Sequence, residues 1–295
     1  MKKQIFKGSG VAVITPMLQD GSVNFPVLKD LLEMQIANST DAVIICGTTG
    51  EASAMNDKEH LDVIEFAVNA VNHRLPVVAG TGSNDTRHAI NLSKEAKNRG
   101  ADALLQVTPY YNKTSQSGLV RHFNAIVDAT GLPTILYNVP SRTGMAITPQ
   151  TYQKLAEHPL IVATKEASGN ISAIAKTAAL CGDSLAIYSG NDDQIVPLLS
   201  LGGIGVISVL ANVAPRQTHD ICALYFAGKE KESLALQLQM LDLIDALFSD
   251  VNPIPVKAAM NLLGYAAGDC RMPLDVLNAE KTDALRRALV RAKLI

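Results

Sequence analysis

Lys165 lies near the C-terminal end of the short apolar run Ile161-Val162-Ala163-Thr164-Lys165-Glu166-Ala167-Ser168, entered from His158-Pro159 and left through Ser168-Gly169-Asn170. That pattern reads as a buried strand. Burying a single ammonium costs several kcal/mol in practice, so a lysine there is either paired or neutral. A neutral lysine is a nucleophile that captures a carbonyl as a Schiff base. A paired one, with Glu166 the nearest candidate, is a structural strand-end cation. The ends of the other apolar runs carry Thr48-Thr49, Thr81, Thr108, Tyr110-Tyr111, Tyr137-Asn138, Gly190-Asn191-Asp192 and Ser208. Lys165 is the only Lys or Arg inside any of these runs. Hydroxyls around one amine suit a Schiff-base enzyme that moves protons through phenols and threonines. They do not suit a glycosidase, which needs two facing carboxyls.

Other chemistry-bearing stretches admit two readings each. Gly47-Thr48-Thr49-Gly50-Glu51 either turns backbone N–H groups toward an anion or is an ordinary strand-to-helix turn. Gly202-Gly203-Ile204-Gly205 has the look of a phosphate loop, but it enters a strand rather than leaving one, so close packing is expected. Arg142, in Tyr137-Asn138-Val139-Pro140-Ser141-Arg142-Thr143-Gly144, either grips a carboxylate through two parallel contacts or is a surface arginine in a turn. Tyr110 and Tyr111, taken singly, are packing or interface residues. Asn252-Pro253-Ile254-Pro255-Val256-Lys257 reads as a rigid structural turn into a helix. The six histidines show no HxH or HxxxH spacing, so no catalytic metal is expected. Cys46, Cys181, Cys222 and Cys270 are widely spaced and read as reduced thiols of a cytoplasmic protein.

The elements that must position these residues follow from periodicity. Eight short apolar, β-branched runs recur: Val11–Met17, Asp41–Gly47, Leu75–Gly82, Ala101–Tyr111, Pro133–Pro140, Ile161–Ser168, Leu185–Asp192 and Gly203–Asn212. They are apolar nearly throughout, as parallel strands buried on both faces are. Amphipathic segments separate them: Phe25–Asn38, Glu59–Val71 capped by Asn56 or Asp57, a helix capped by Asp85 and running to Asn98, then Ser115–Ala129, Thr148–Glu157, Asn170–Cys181, Asp192–Leu201 and Pro215–Ala227. Eight strands alternating with eight helices predict a (β/α)8 TIM barrel, an α/β fold with its chemistry at the C-terminal strand ends. The first strand leads into Thr15-Pro16-Met17 with no GxGxxG, against a doubly wound dinucleotide fold. Three further helices, Glu230–Phe248, Pro255–Leu263 and Leu274–Lys293, predict a C-terminal helical appendage. The expected division is residues 1–227 for the barrel and 228–295 for the helical region packed on it.

Composition narrows the partners. The 295 residues are 47% hydrophobic and 18% charged, with net charge -2 and only 4% aromatic residues. Nucleic acid and membrane surfaces are therefore not expected partners. Lys2-Lys3 precede an apolar run too short for a signal peptide, and no stretch reaches the length of a bilayer span.

At these residues the chain resembles the dihydrodipicolinate synthase and N-acetylneuraminate lyase family of class I aldolase-like barrels. The resemblance runs through Gly47–Glu51, Thr108-Pro109-Tyr110-Tyr111-Asn112, Tyr137–Pro140 with Arg142-Thr143, Lys165–Gly169, Tyr188–Asp192 and Asn252–Lys257, in the family's order and over essentially the whole chain. It implies condensation of pyruvate with L-aspartate 4-semialdehyde to 4-hydroxy-tetrahydrodipicolinate in the diaminopimelate and lysine pathway, with no cofactor. By the same resemblance Lys165 would form the pyruvyl Schiff base and Tyr137 would shuttle protons. Thr49 and Tyr111 would complete the relay, Tyr111 entering from a neighbouring subunit of a homotetramer built from tight dimers. Thr48 and Thr49 would hold the pyruvate carboxylate, Arg142 that of the semialdehyde, and Gly190 and the Ile207 backbone would line the site. The pairing of Thr48-Thr49 with Arg142 favours the synthase over a lyase for N-acetylneuraminate or a 2-keto-3-deoxy sugar acid. A catalytically silent keto-acid sensor would not need Lys165, Tyr137, Thr49 and Tyr111 together. One departure stands out: His88 and Asp57 occupy positions where lysine-inhibited members carry Glu and His, so weak or absent inhibition by lysine is expected although Tyr110, Asn84 and His60 match.

Overall fold

The computed structural model describes Lys2 and residues 4–295; Met1 and Lys3, part of the basic start noted above, lie outside the described residues. Eight parallel strands, β1 (Gly8–Ala12), β2 (Ala42–Ile45), β3 (Val77–Gly80), β4 (Ala103–Val107), β5 (Thr134–Asn138), β6 (Ile161–Glu166), β7 (Ala186–Ser189) and β8 (Gly205–Ser208), pair in chain order. β8 bonds back to β1, so the sheet closes and leaves no edge. Alternate side chains face opposite ways. Ala12, Ile44, Val78, Leu105, Tyr137, Ala163, Tyr188 and Ile207 meet in one cluster, with Phe6 stacked on Tyr188 at 4.3 Å. Val11, Val43, Ile45, Val77, Ala79 and Leu104 instead pack with Leu28, Leu32, Val63 and Ile64 of the surrounding helices.

The helices begin where the sequence offers caps. The barrel layer comprises α1 (Phe25–Ala37), α2 (Asp57–Val71), α3 (Thr86–Asn98), α4 (Gln116–Thr130), α6 (Pro149–Leu155), α7 (Ile171–Cys181), α8 (Ile195–Ser200) and α9 (Pro215–Phe226). A single turn, α5 (Pro140–Thr143), interrupts the loop after β5. Asn56, Asp85, Ser115, Thr148 and Asn170 each accept a hydrogen bond from a first-turn backbone N–H. Pro149 and Pro215 stand at helix starts.

The first strand lies earlier than the apolar run Val11–Met17 suggested. Glycine is a weak strand former, so Gly8-Ser9-Gly10 gives no strand signal, yet closure of the barrel needs glycine there. A Cβ on Gly205, whose φ is +156°, would stand 2.0 Å from the Gly8 carbonyl. Gly203 and Gly205 thus serve close packing, as the placement of the motif implied, whereas Gly202, with φ +88° and open space beside it, serves the turn. Beyond β1, Ile14 N bonds to Asn212 Oδ1 and Met17 N to the Ala267 carbonyl, carrying the apolar run out of the sheet.

Four helices, not three, follow the barrel: α10 (Glu230–Gln239), α11 (Leu241–Leu247), α12 (Ile254–Leu262) and α13 (Ala279–Arg291). The expected helix Glu230–Phe248 breaks at Met240, and Leu274–Asn278 stays outside α13. Met240, Leu243, Ile244, Val256, Met260 and Leu285 share one apolar cluster with Ile14, Leu31 and Leu210 of the barrel, so these helices seal one side of it.

Candidate active site

Strand alternation separates Lys165 from Glu166. In β6, Lys165 follows the inward parity of Ala163 and stands in register with Tyr137 of β5 and Tyr188 of β7. It is 5% exposed, and its Nζ lies 4.4 Å from the centroid of the Tyr137 ring. Among the described residues no carboxylate lies within ion-pairing distance of it. The strand-end ion pair with Glu166 does not form, because Glu166 faces the other side of the wall. There it accepts from Asn138 Nδ2 at 2.8 Å, Tyr152 Oη at 2.6 Å and Ser168 Oγ at 2.8 Å.

Gly190 and Asp192 frame the amine from β7. Gly190 N donates to the Glu166 carbonyl at 2.7 Å, and a Cβ on Gly190 would come within 3.1 Å of Lys165 Cε. Asp192 is buried and clasps the exit of β8, accepting from Ser208 Oγ at 2.5 Å, Val209 N at 3.0 Å and Leu210 N at 2.9 Å. Burial pushes its carboxyl upward, while those donors and the charge of Lys165 oppose the shift. Ile207 is fully buried in β8, in the apolar cluster that holds Tyr137 and Tyr188.

The threonines come from the turn after β2. Thr48 is exposed and Thr49 is buried. Asn252, assigned a structural role above, also reaches the site: its Nδ2 donates to Thr49 Oγ1 at 3.0 Å, and its carbonyl accepts from Arg142 Nη2 at 3.1 Å. The two-pronged turn signal in Asn252-Pro253-Ile254-Pro255 points to rigidity, but nothing local shows that it bridges Thr49 and Arg142. Glu51 is held in the left-handed region at φ 56° by a buried pair with Lys257 at 2.8 Å and a bond from Arg271 N. This anchors the Gly47–Glu51 turn to α12.

Thr48, Tyr137 and Arg142 share a cavity of about 490 Å³ at the C-terminal mouth with His60, His88 and Tyr110. In its far part, His88 Nε2 lies 2.9 Å from Asp57 Oδ1 and His88 Nδ1 lies 3.1 Å from Ser83 Oγ. His60 Nε2 lies 2.8 Å from the Gly80 carbonyl, and burial lowers its pKa. Asn84 engages through its carbonyl, which accepts from Asn112 Nδ2. Tyr111 is not gathered with the others. It is 92% exposed, has φ 65°, and bonds to neither Tyr137 nor Thr49 of its own chain. Among the described residues no cluster of three or more His, Cys, Asp or Glu is placed to hold a metal ion, and no helix is long and apolar enough to cross a membrane.

The sequence matches the family model described as the dihydrodipicolinate synthetase family over residues 5–292. It is 59% identical over 270 residues to a 4-hydroxy-tetrahydrodipicolinate synthase of Clostridium perfringens, spanning 92% of each chain. It is 55% identical to that of Caldicellulosiruptor saccharolyticus, spanning 97% of each. The fold superimposes with a TM-score of 0.97 on the chloride-inhibited dihydrodipicolinate synthase of Acinetobacter baumannii complexed with pyruvate, at 43% identity over 99% of this chain and all of that one. It also superimposes on the Cyanidioschyzon merolae enzyme with lysine bound, at a TM-score of 0.96 and 39% identity, spanning 99% of this chain and all of that one. With the eight-stranded barrel, the buried amine and the match over nearly every residue in agreement, the chain belongs to the dihydrodipicolinate synthetase family.

Proposed function

We propose that this chain condenses pyruvate with L-aspartate 4-semialdehyde to give 4-hydroxy-tetrahydrodipicolinate. The observation that carries the reading is the enclosed Lys165 amine, set over the Tyr137 ring and with no carboxylate within ion-pairing distance among the described residues. The relatives' name supports the product, the pyruvate complex of the Acinetobacter neighbour supports a keto acid as one substrate, and the semialdehyde is the second substrate that the family resemblance implies.

The chemistry follows from the groups at hand. Lys165 Nζ adds to the pyruvate carbonyl, and loss of water leaves an imine. Loss of a methyl proton gives the enamine, whose carbon attacks the aldehyde of the semialdehyde; the resulting alkoxide takes up a proton. The substrate amine then adds to the imine carbon and expels the Lys165 amine, closing the ring with the new hydroxyl retained. Tyr137, whose hydroxyl has no partner among the described residues, moves these protons, with Thr49 and Tyr111 as its relay. Thr48 and Thr49 hold the pyruvate carboxylate, Gly190 and the Ile207 backbone bound it, and Arg142 at the mouth takes the carboxylate of the semialdehyde. The exposure of Tyr111 supports its entry into a neighbouring copy, in a homotetramer built from tight dimers. The four unpaired cysteines support a cytoplasmic setting. Arg142 and the relatives' names favour this synthesis over sugar-acid cleavage.

Borohydride reduction in the presence of pyruvate is expected to leave a stable adduct on the peptide bearing Lys165, and none in Lys165→Ala. An adduct mapped elsewhere, or none in the parent chain, would sink the mechanism. Arg142→Ala is expected to lower kcat/KM for the semialdehyde at least tenfold and leave pyruvate trapping intact; unchanged condensation would refute the substrate assignment.

A further inference from the structure

Behind the amine and the phenol, on the outer face of the barrel wall, lies a second set of groups that the chemistry above does not use. Tyr137 and Lys165 are register partners in β5 and β6, and so are the next residues along, Asn138 and Glu166. Because side chains alternate, the first pair faces inward and the second outward. Asn138 and Glu166 are both about 3% exposed, and they bond to each other across the strands at 2.8 Å. Tyr152 of α6, almost wholly buried, donates to the same carboxylate oxygen at 2.6 Å, and its hydroxyl lies 2.9 Å from Thr164 Oγ1 of β6. Ser168 occupies the other oxygen, and Asn138 Oδ1 accepts from Ile147 N at 3.1 Å. The neighbouring carboxylate raises the Tyr152 pKa further, after burial.

A buried carboxylate is costly unless its oxygens are filled, and here three donors fill them. Charge-assisted bonds of this kind are short and directional. They tie β5, β6 and α6 together one residue beyond the reacting pair. The β5–β6 ladder shifts register between Thr134 and Ile135, at the opposite end of the strands, and runs evenly from Ile135–Ala163 to Asn138–Glu166, so the clamp sits at the last rung of a regular stretch.

We infer that Glu166 is a positioning residue for the reaction: by clamping Asn138 and Tyr152 from outside the barrel, it sets the separation between the Lys165 amine and the Tyr137 phenol inside it. This rests on the Schiff-base reading of Lys165. A misplacement of about 1 Å from a group outside the site costs about a hundredfold in rate.

The test is rapid-quench borohydride trapping with pyruvate, read by intact mass and scaled to the folded fraction. Glu166→Leu, of similar volume but without acceptors, is expected to slow the maximal rate of imine formation at least tenfold while the pyruvate concentration for half-saturation stays within twofold. Glu166→Gln, which keeps the oxygen shared by Asn138 and Tyr152, is expected to restore the rate to within threefold of the parent. A role in stability alone would lower the melting temperature and leave the rate of the folded fraction untouched, so a parental rate in Glu166→Leu overturns the inference. If that variant does not fold, Tyr152→Phe decides: a rate at least threefold lower supports the clamp, and an unchanged rate overturns it. Absence of any adduct in the parent chain would instead defeat the Schiff-base reading.

Discussion

At the scale of single residues, the space around the amine is as telling as the amine. Gly190 is required by contact rather than by backbone conformation: a Cβ there would lie 2.7 Å from Ala167 Cβ, 3.0 Å from the Glu166 carbonyl and 3.1 Å from Lys165 Cε. Real side chains do not tolerate such approaches, so the strand or the lysine must give way. Gly190→Ala is expected to lower kcat/KM for pyruvate by about ten- to a hundredfold, the range that a shift of the nucleophile by a fraction of an ångström produces. Adding Ala167→Gly, which removes the nearest obstructing atom, is expected to recover part of the loss. The measurement is steady-state kinetics of the single and double variants beside their melting temperatures. A single variant with parental kcat/KM would mean that Gly190 does not bear on Lys165.

At the scale of elements, α4 docks on α3 through a histidine that burial keeps uncharged. His122 Nδ1 lies 2.8 Å from Thr86 Oγ1, and its Nε2 is buried with no partner among the described residues. Burial lowers its pKa from 6.5 to about 4, partly offset by Asp85. Between those values the unfolded chain binds a proton that the folded chain refuses, so stability is full above pH 6.5 and falls as pH drops toward 4. The loss reaches about 2 kcal/mol at pH 5. His122→Phe is expected to flatten that acid-side slope in urea unfolding at pH 7.5 and 5.0; an equal loss in variant and parent would place the acid sensitivity elsewhere. The alternation of strands and helices, and the polar strand ends, are legible because both are local patterns of spacing. The partner of Glu166 is not, since Tyr152 stands 14 positions away on another element and only the docking of α6 brings it over. Asn252 is hidden for the same reason, its bond to Thr49 spanning 203 positions. The start of β1 is missed because closure demands glycine where strand propensity disfavours it, and the break at Met240 because Glu230–Phe248 carries no Pro or Gly to announce it.

At the scale of the whole molecule, two features concern what meets this chain from outside. In the mouth cavity His88, bonded to one oxygen of the exposed Asp57 carboxylate, puts an imidazole where the family resemblance gives an effector's ammonium its carboxylate partner. Lysine is therefore expected to inhibit weakly or not at all; potent inhibition in a steady-state condensation assay would refute this. The second feature is Tyr111. A bulky residue in the left-handed region carries strain on the order of 1–3 kcal/mol, which persists where surroundings or function over-determine it. Yet Tyr111 is 92% exposed in its own chain, and its hydroxyl has no hydrogen-bond partner among the described residues. Packing against a second copy would supply both the constraint and the relay partner. If Tyr111 acts across a two-fold interface, a Tyr111→Phe chain has an intact Lys165 and lacks only the phenol its partner would provide, while a Lys165→Ala chain has the phenol to lend. Each variant alone is expected to be severely impaired. Co-refolded in equal amounts, they pair so that half the dimers hold one complete site, and roughly a quarter of the parental activity returns. The yield of hybrids can be followed by native mass spectrometry and compared with the recovered rate. Hybrids that form and stay as slow as the separate variants would place the working Tyr111 within its own chain.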